Sequence, residues 1–169
     1  MRKVMLFVAG AGMIIALGAG VASASSPDLS KKISVGWWDA RVPVGVQIGL
    51  APKMALDLGV GFQKQKDVDL GFSIGGALPI TLCNMDDKAS FSFRPGVIFR
   101  NKESGYKTEI DIMADLEARV WLSERFSILA GHGLSIVNHK GYEANAQSAT
   151  DIGTHAISAT QVGFWYTWQ

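Results

Sequence analysis

Apolar and polar side chains alternate residue by residue along most of this chain, and this period of two constrains its fold more than any other feature. Between residues 108 and 122, one face carries apolar residues such as Ile110 and Val120, and the other carries charged residues such as Glu109 and Arg119. Successive side chains of a strand point to opposite faces, whereas the same charges would be scattered around a helix. The pattern therefore predicts a strand with one apolar face.

The same alternation divides the chain into eight segments, so the predicted fold is all-β. The last segment carries Val162, Phe164, Tyr166 and Trp168 on one face. An exposed apolar edge strand invites aggregation, so we expect this strand to pair with another strand and close a barrel. The predicted strands are Lys32–Trp37, Val42–Leu50, Met54–Gln63, Val68–Ile80, Ala89–Arg100, Lys107–Leu122, Arg125–Val137 and Gly153–Trp168.

The connections between these segments differ in length at the two ends of the predicted barrel. Tight turns are expected at Ala51–Lys53 and Ser123–Glu124, and a longer turn that contains Cys83 at residues 81–88. Longer polar loops are expected at Gln65–Asp67, Asn101–Tyr106 and Asn138–Ile152. Short turns at one end and longer loops at the other are typical of outer-membrane barrels. Because the number of strands is even, both ends of the barrel domain are predicted to lie on the short-turn side.

Residues 1–24 have the anatomy of a Sec-type signal peptide. Arg2 and Lys3 give a positive start, residues 4–17 are apolar or small, and Ala22 and Ala24 are the small residues that a signal peptidase reads. A transmembrane helix is the competing interpretation, because residues 4–24 are about as long as a bilayer requires. We expect cleavage after Ala24, a short N-terminal segment over residues 25–31, and one barrel domain over residues 32–169.

The faces of the strands distinguish two kinds of barrel. A soluble ligand-binding barrel is apolar inside and polar outside, whereas each strand here has a continuous apolar face and a face of Gly, Ser, Gln and charge. Charged residues make up 18% of the chain, below the roughly 25% of an average soluble domain. An apolar exterior around a polar interior is expected of a barrel that is surrounded by lipid. The sequence therefore predicts an eight-stranded antiparallel up-and-down transmembrane β-barrel.

The polar faces predict a charge network that fills the lumen. Eight strands leave a lumen just wide enough for side chains, so inward charges must pair with each other. The acidic members are Asp57, Asp69, Glu109, Asp111, Asp115 and Glu117, and the basic members are Arg94, Arg100 and Arg119. The inward glycines that make room for them are Gly45, Gly49, Gly59, Gly61, Gly71, Gly75 and Gly163. A plugged interior is the preferred interpretation, and a narrow ion path is the alternative.

The end of the chain resembles the terminal β-signal of outer-membrane proteins, in which a polar residue, a glycine and two aromatic or apolar residues recur at fixed spacing. Gln161, Gly163, Tyr166 and Trp168 occupy those positions, with Gln169 added after the final aromatic residue. By pattern over nearly its full mature length, the chain resembles the small OmpA/OmpX-like eight-stranded outer-membrane barrels. The resemblance implies periplasmic chaperones and the outer-membrane assembly machinery as partners, and the latter would read residues 161–168.

No catalytic, cofactor or metal site is predicted. His132, Ser135, His139 and Glu143 lie close together in the sequence, and some outer-membrane barrels that resemble lipases or deacylases carry a His, a Ser and an acid near the outer leaflet. On a strand, however, His132 and Ser135 point to opposite faces, and Ser135 and His139 would be separated by roughly 13 Å. We therefore expect no enzymatic activity. His132 itself falls on the lipid face, where a polar ring is unfavourable.

Composition excludes other classes of function. The net charge of +1 gives no basic surface for nucleic acid, and a lone Cys83 excludes an intramolecular disulfide or a multi-cysteine zinc site. We expect Cys83 to be a reduced thiol in a turn. The aromatic residues near predicted strand ends are expected to anchor the barrel at the membrane interfaces. They are Trp37, Trp38, Trp121, Tyr166 and Trp168.

These observations predict a monomeric protein of a Gram-negative-type outer membrane, in contact with lipid or lipopolysaccharide, with a structural or surface-interaction role. Its polar loops would be available to surface partners. A small pore is one alternative. A soluble periplasmic barrel that binds an apolar ligand is another.

Overall fold

The structure is a computed structural model that describes residues 28–64, 70–85, 88–103, 106–141, 148–154 and 160–168. The predicted signal peptide lies outside these residues. The strands are β1 Ile33–Trp37, β2 Val44–Ala51, β3 Met54–Gln63, β4 Gly71–Ala77, β5 Ile80–Met85, β6 Ala89–Glu103, β7 Tyr106–Trp121, β8 Phe126–Gly141, β9 Ser148–Gly153 and β10 Thr160–Trp168. Among the described residues, no helix has the length and hydropathy to cross a bilayer.

The ten strands occupy eight positions in one closed antiparallel barrel. β4 and β5 both pair with β6, and β9 and β10 both pair with β8, so each couple forms one interrupted barrel strand. β10 also pairs with β1, from Ile33 opposite Trp168 to Trp37 opposite Phe164. The predicted all-β, eight-stranded closed barrel is therefore confirmed, with the last strand closing it.

The alternation predicted from the sequence holds around the barrel. On β10, Gln161, Gly163, Trp165 and Thr167 are buried inside, while the residues between them are exposed. The outward face forms an apolar belt, in which Val60, Ile74, Val97, Ile112 and Val162 each expose about half or more of their surface.

The interruption between β4 and β5 differs from the prediction of one strand ending at Ile80. Pro79 has no backbone N–H for the ladder, and the pairing register with β6 shifts between Thr81 and Cys83. The strand nevertheless continues to Met85. Cys83 therefore lies on a strand, exposed and opposite Phe91, and the prediction that it lies in a turn was wrong.

The strand pairs at the loop end extend further than predicted. β6 reaches Glu103 and β7 begins at Tyr106, so most of the predicted loop Asn101–Tyr106 is strand. β8 reaches Gly141 and pairs with β9, so much of the predicted loop Asn138–Ile152 is also strand. The sequence of these extensions is mostly polar, so the apolar period disappears from it although backbone pairing continues.

Candidate functional site in the barrel interior

The connection between β1 and β2 folds into the barrel and fills its loop-end half. We call residues 38–43 the inward segment. Trp38 and Val42 are completely buried, and Asp39 and Arg41 are buried with them. The prediction that Trp38 is an interfacial anchor was therefore wrong, because the chain turns inward directly after β1.

Glycines on two neighbouring strands create the space for Trp38. A Cβ atom on Gly59 would lie 2.9 Å from Trp38 Cε2, and a Cβ atom on Gly45 would come into equally close contact with the indole. From β6, the guanidinium carbon of Arg94 lies 4.0 Å from the centroid of the Trp38 ring, within the range of a cation–π interaction. The tryptophan is thus held between a glycine surface and a buried arginine.

Part of the interior is apolar, which the sequence analysis did not predict. Trp38 and Val42 join residues of five strands in one buried cluster, whose remaining members are Ala77, Ile98, Met113, Leu129 and Trp165. Each of these residues occupies an inward position in the alternation. The lumen is therefore filled by an apolar cluster as well as by charges, and the expectation of a uniformly polar interior was too simple.

Near the loop end, Arg41 of the inward segment is paired with two carboxylates. Its Nε donates to Asp39 Oδ1 at 2.7 Å and its Nη2 lies 2.6 Å from Asp39 Oδ2. Its Nη1 forms an ion pair with Asp111 of β7. The hydroxyl of Ser73 donates to the Arg41 backbone carbonyl. Side-chain and backbone bonds therefore fix the inward segment to β4 and β7.

The middle of the lumen contains Arg94, which is completely buried. Its Nη2 lies 3.0 Å from Asp57 Oδ2, and its Nε lies 3.6 Å from Glu117 Oε2. Its Nη1 donates to Gln161 of β10. A buried charge is stable only where the geometry supplies such partners, and this group connects β3, β6, β7 and β10.

Toward the short-turn end, Arg119 forms the next polar layer. Its Nη1 donates to Gln47 Oε1 at 2.8 Å, and its Nη2 donates to Glu117 Oε1 at 3.1 Å. Gln47 in turn donates to Asp57 Oδ1 at 2.7 Å. Asp57 and Glu117 therefore bridge the Arg94 and Arg119 layers.

The other predicted lumen charges have different surroundings. Arg100 forms an ion pair with Glu109 near the loop end. Asp115 is 1% exposed, and its Oδ1 has no hydrogen-bond partner within the described part of the chain. Asp69 lies outside the described residues.

Sequence reasoning missed four interior polar residues: Asp39, Arg41, Gln47 and Gln161, the last of which it had considered only as part of the β-signal. Gln47 and Gln161 occupy inward positions of the alternation and could have been found from it. Asp39 and Arg41 lie in a connection, where no strand period indicates direction. The available signal was the large number of glycines at inward positions of the strands, because these glycines leave space in the lumen.

The residues of the predicted β-signal share one strand but have different environments. Gln161 and Gly163 face the lumen, and a Cβ atom on Gly163 would clash with the backbone of Trp37. Tyr166 and Trp168 face outward, with ring centroids 5.4 Å apart in an edge-on arrangement. Trp37 is exposed as well, but Trp121 is 2% exposed and faces inward, so its assignment as an anchor was wrong.

Of the four candidate catalytic residues, Glu143 lies outside the described residues, and the other three do not share a site. His132 pairs with Leu116 across the strands and therefore faces outward, and its Nδ1 lies 2.8 Å from Thr160 Oγ1. Ser135 is buried inside the barrel. His139 lies 3.7 Å from Asp151 near the loop end. Within the described ranges, no group of three His, Cys, Asp or Glu residues is arranged to hold a metal ion.

Comparison of the chain with protein families, curated proteins and solved structures finds no match.

Proposed function

We propose that this chain is a monomeric outer-membrane β-barrel protein with a closed interior and a structural or surface-interaction role, without catalytic activity. The observation that carries the proposal is the polarity of the barrel. Large apolar side chains are exposed around its outside, including Val60, Phe72, Ile112 and Val162. A continuous apolar exterior of this kind is favourable in lipid and promotes aggregation in water.

The interior supports a plug in preference to a pore. The inward segment fills the loop-end half of the lumen and packs with the apolar cluster, and the Arg94 layer crosses the middle. A conducting path would have to displace Trp38 and also separate Arg94 from Asp57. Eight-stranded barrels generally leave no open aqueous channel.

The interior also argues against a soluble barrel that binds an apolar ligand. Such a barrel needs an apolar cavity, whereas Asp57, Arg94 and Glu117 are completely buried in this lumen. Under the present proposal these charges stabilise and plug the barrel, while lipid or lipopolysaccharide contacts its outside.

The polar extension of β8 and β9 is the surface most suited to an external partner. Asn138 Nδ2 donates to Thr150 Oγ1 at 2.9 Å, and both side chains are exposed. Export by the predicted Sec-type signal peptide and insertion by the outer-membrane assembly machinery, through residues 161–168, complete the proposed biogenesis.

Membrane fractionation with boiled and unboiled gel lanes tests the localisation. We expect recovery with the outer membrane and a mobility shift on boiling, because closed barrels remain folded in detergent at room temperature. Extraction into buffer without detergent would contradict the membrane assignment and direct attention to a soluble barrel.

Conductance in planar bilayers tests the plug. The wild type should be electrically silent, whereas Trp38→Gly in the inward segment combined with Arg94→Gly should produce channel openings, because these two side chains fill the loop-end half and the middle of the lumen. Ala40→Gly, in the same segment but at an exposed position, is the matched control and should stay silent. Steady wild-type conductance that changes in Glu117→Gln or Arg119→Gln would contradict the plugged interior and support a small pore.

A further inference from the structure

The short-turn end of the barrel contains a cavity of about 260 Å³. It lies beyond the Arg119 layer, and residues 28–29 form part of its wall. Its volume corresponds to roughly eight or nine water molecules at about 30 Å³ each. The cavity is separate from the space filled by the inward segment, so the plug does not account for it.

One side of the cavity is a preformed polar wall. Arg119 is fixed by Gln47 and Glu117, and Gln47 is itself fixed by Asp57, so the guanidinium and the amide are both held in place. Ser90 and Ser92 of β6 add two hydroxyl groups on inward positions. Polar groups that are already oriented reduce the entropy that a ligand must lose on binding.

The remaining wall is largely apolar and includes an aromatic ring. Trp121 lines the cavity together with Leu29 and Met54. The Trp121 ring lies 5.6 Å from the guanidinium carbon of Arg119. A ligand in this space therefore meets a rigid apolar surface on one side and hydrogen-bonding groups on the other, which is the usual composition of a small-molecule site.

The buried charge of the wall is already compensated. Arg119 lines the cavity and is paired with Glu117 behind it, while the exposed Lys53 and Asp28 contribute one charge of each sign. A charged ligand would have to compete with Glu117 for Arg119 or remain without a counter-charge in a partly enclosed space, which is unfavourable. The electrostatics therefore favour an uncharged ligand with many hydrogen-bonding groups.

We propose that this cavity binds an uncharged, hydroxyl-rich ring of monosaccharide size. The ring's apolar face would pack toward Trp121, and its hydroxyl groups would exchange hydrogen bonds with Gln47, Ser90, Ser92 and Arg119. The same chemistry is presented by a free sugar and by the terminal residue of a glycan chain. This site goes beyond the proposed structural role and does not depend on it.

Saturation-transfer NMR on the folded protein tests the proposal, in lauryldimethylamine oxide micelles because this detergent carries no sugar. D-glucose is the free-sugar probe, maltohexaose is the glycan probe, and inorganic phosphate is the charged probe. We expect saturable binding of glucose or maltohexaose with a dissociation constant on the order of 1 mM, since the ligand is small. Tighter binding of maltohexaose would identify a glycan end as the source, and tighter binding of glucose a free sugar.

Paired alanine substitutions locate the binding. Ala55 lines the cavity and Ala118 lies on the outer face of β7, so Ala55→Leu fills the space while Ala118→Leu makes the same change elsewhere. Ala55→Leu should weaken sugar binding at least about tenfold, and Ala118→Leu should leave it unchanged. Ser92→Ala should weaken it about two- to tenfold, the usual effect of one hydrogen bond. The mobility shift on boiling verifies that each variant is folded.

Three results would overturn the proposal. Phosphate binding without sugar binding would show that the charge argument is wrong. Absence of saturable sugar binding at a sugar concentration about a hundredfold above the expected dissociation constant would show that the cavity holds only water. Equal binding by the wild type and a folded Ala55→Leu variant would place the sugar outside the cavity.

Discussion

At the scale of single residues, Arg94 has the greatest consequence for stability. It is completely buried, it faces both Asp57 and Glu117, and it packs on the Trp38 ring. The attraction in such a group offsets the cost of removing its charges from water only while every partner is present. Loss of the arginine would leave Asp57 without its ion-pair partner and Glu117 with Arg119 alone.

We therefore predict that Arg94→Met destabilises the folded barrel by about 3–5 kcal/mol, measured by urea unfolding in lipid vesicles. The double variant Arg94→Met with Asp57→Asn should recover part of this loss, because one uncompensated charge is then absent. Arg125→Met, at an exposed position, should change stability by no more than about 0.5 kcal/mol. A loss for Arg94→Met no larger than for Arg125→Met would mean that the network contributes nothing.

Sequence analysis predicted whether most side chains face inward or outward, because successive residues of a strand point to opposite faces. We call this odd or even position in the alternation the parity of a residue. Arg94, Glu117 and Ile98 occupy inward positions in the alternation, and all three are completely buried. Trp121 also has inward parity, but its position near a strand end suggested an interfacial role. Parity was the better guide, since an aromatic side chain at a strand end can fill a barrel as well as anchor it.

At the scale of elements, the inward segment depends on the backbone of its neighbours. Gly59 on β3 has no Cβ, and Trp38 occupies the space where one would lie. Gly76 on β4 faces outward, and a Cβ atom there would be 3.6 Å from the Asp57 carbonyl oxygen, an ordinary contact. An alanine side chain at Gly59 would therefore contact the inward segment, whereas one at Gly76 would not. The two substitutions form a matched pair.

Gly59→Ala should destabilise the barrel by about 1–3 kcal/mol, because Trp38 must shift in a packed interior. Gly76→Ala should be neutral or stabilising by up to about 1 kcal/mol, since alanine restricts the unfolded chain. Urea unfolding and the near-ultraviolet circular dichroism of the tryptophans would measure both effects. Equal behaviour of the two variants would show that Trp38 is not held against β3.

Whether an element could be predicted depended on its contact with apolar surroundings. β3 was predicted with the bounds Met54–Gln63 that it has, because one of its faces is apolar along most of its length. The sequence predicted a loop for the β8–β9 extension, because its residues are mostly polar, although its backbone is paired. The inward segment was not predicted, and Val42 was expected to begin a strand, because the burial of the segment depends on glycines of the neighbouring strands β2 and β3.

At the scale of the whole molecule, the barrel presents an apolar belt outside and holds paired charges inside, next to the buried apolar cluster. Ile112 lies on the outer face of β7 opposite Val97 and Ile136, and it is 54% exposed. Thr150 lies on β9 in the polar extension and is also exposed. Placing the same charge at these two positions therefore tests whether lipid or water surrounds the barrel.

In lipid vesicles, Ile112→Arg should destabilise the barrel by about 2–4 kcal/mol, because a guanidinium near the middle of the apolar belt must leave water. Thr150→Arg, beyond the belt, should cost only about 0–1 kcal/mol. Urea unfolding of both variants in vesicles measures this difference, and a thicker bilayer should increase it. A soluble barrel would show the opposite ordering or none, because replacement of an exposed isoleucine by arginine in water costs no more than about 0.5 kcal/mol. An equal, small effect at both positions would therefore contradict the lipid-facing assignment of the apolar belt while leaving the barrel fold unaffected.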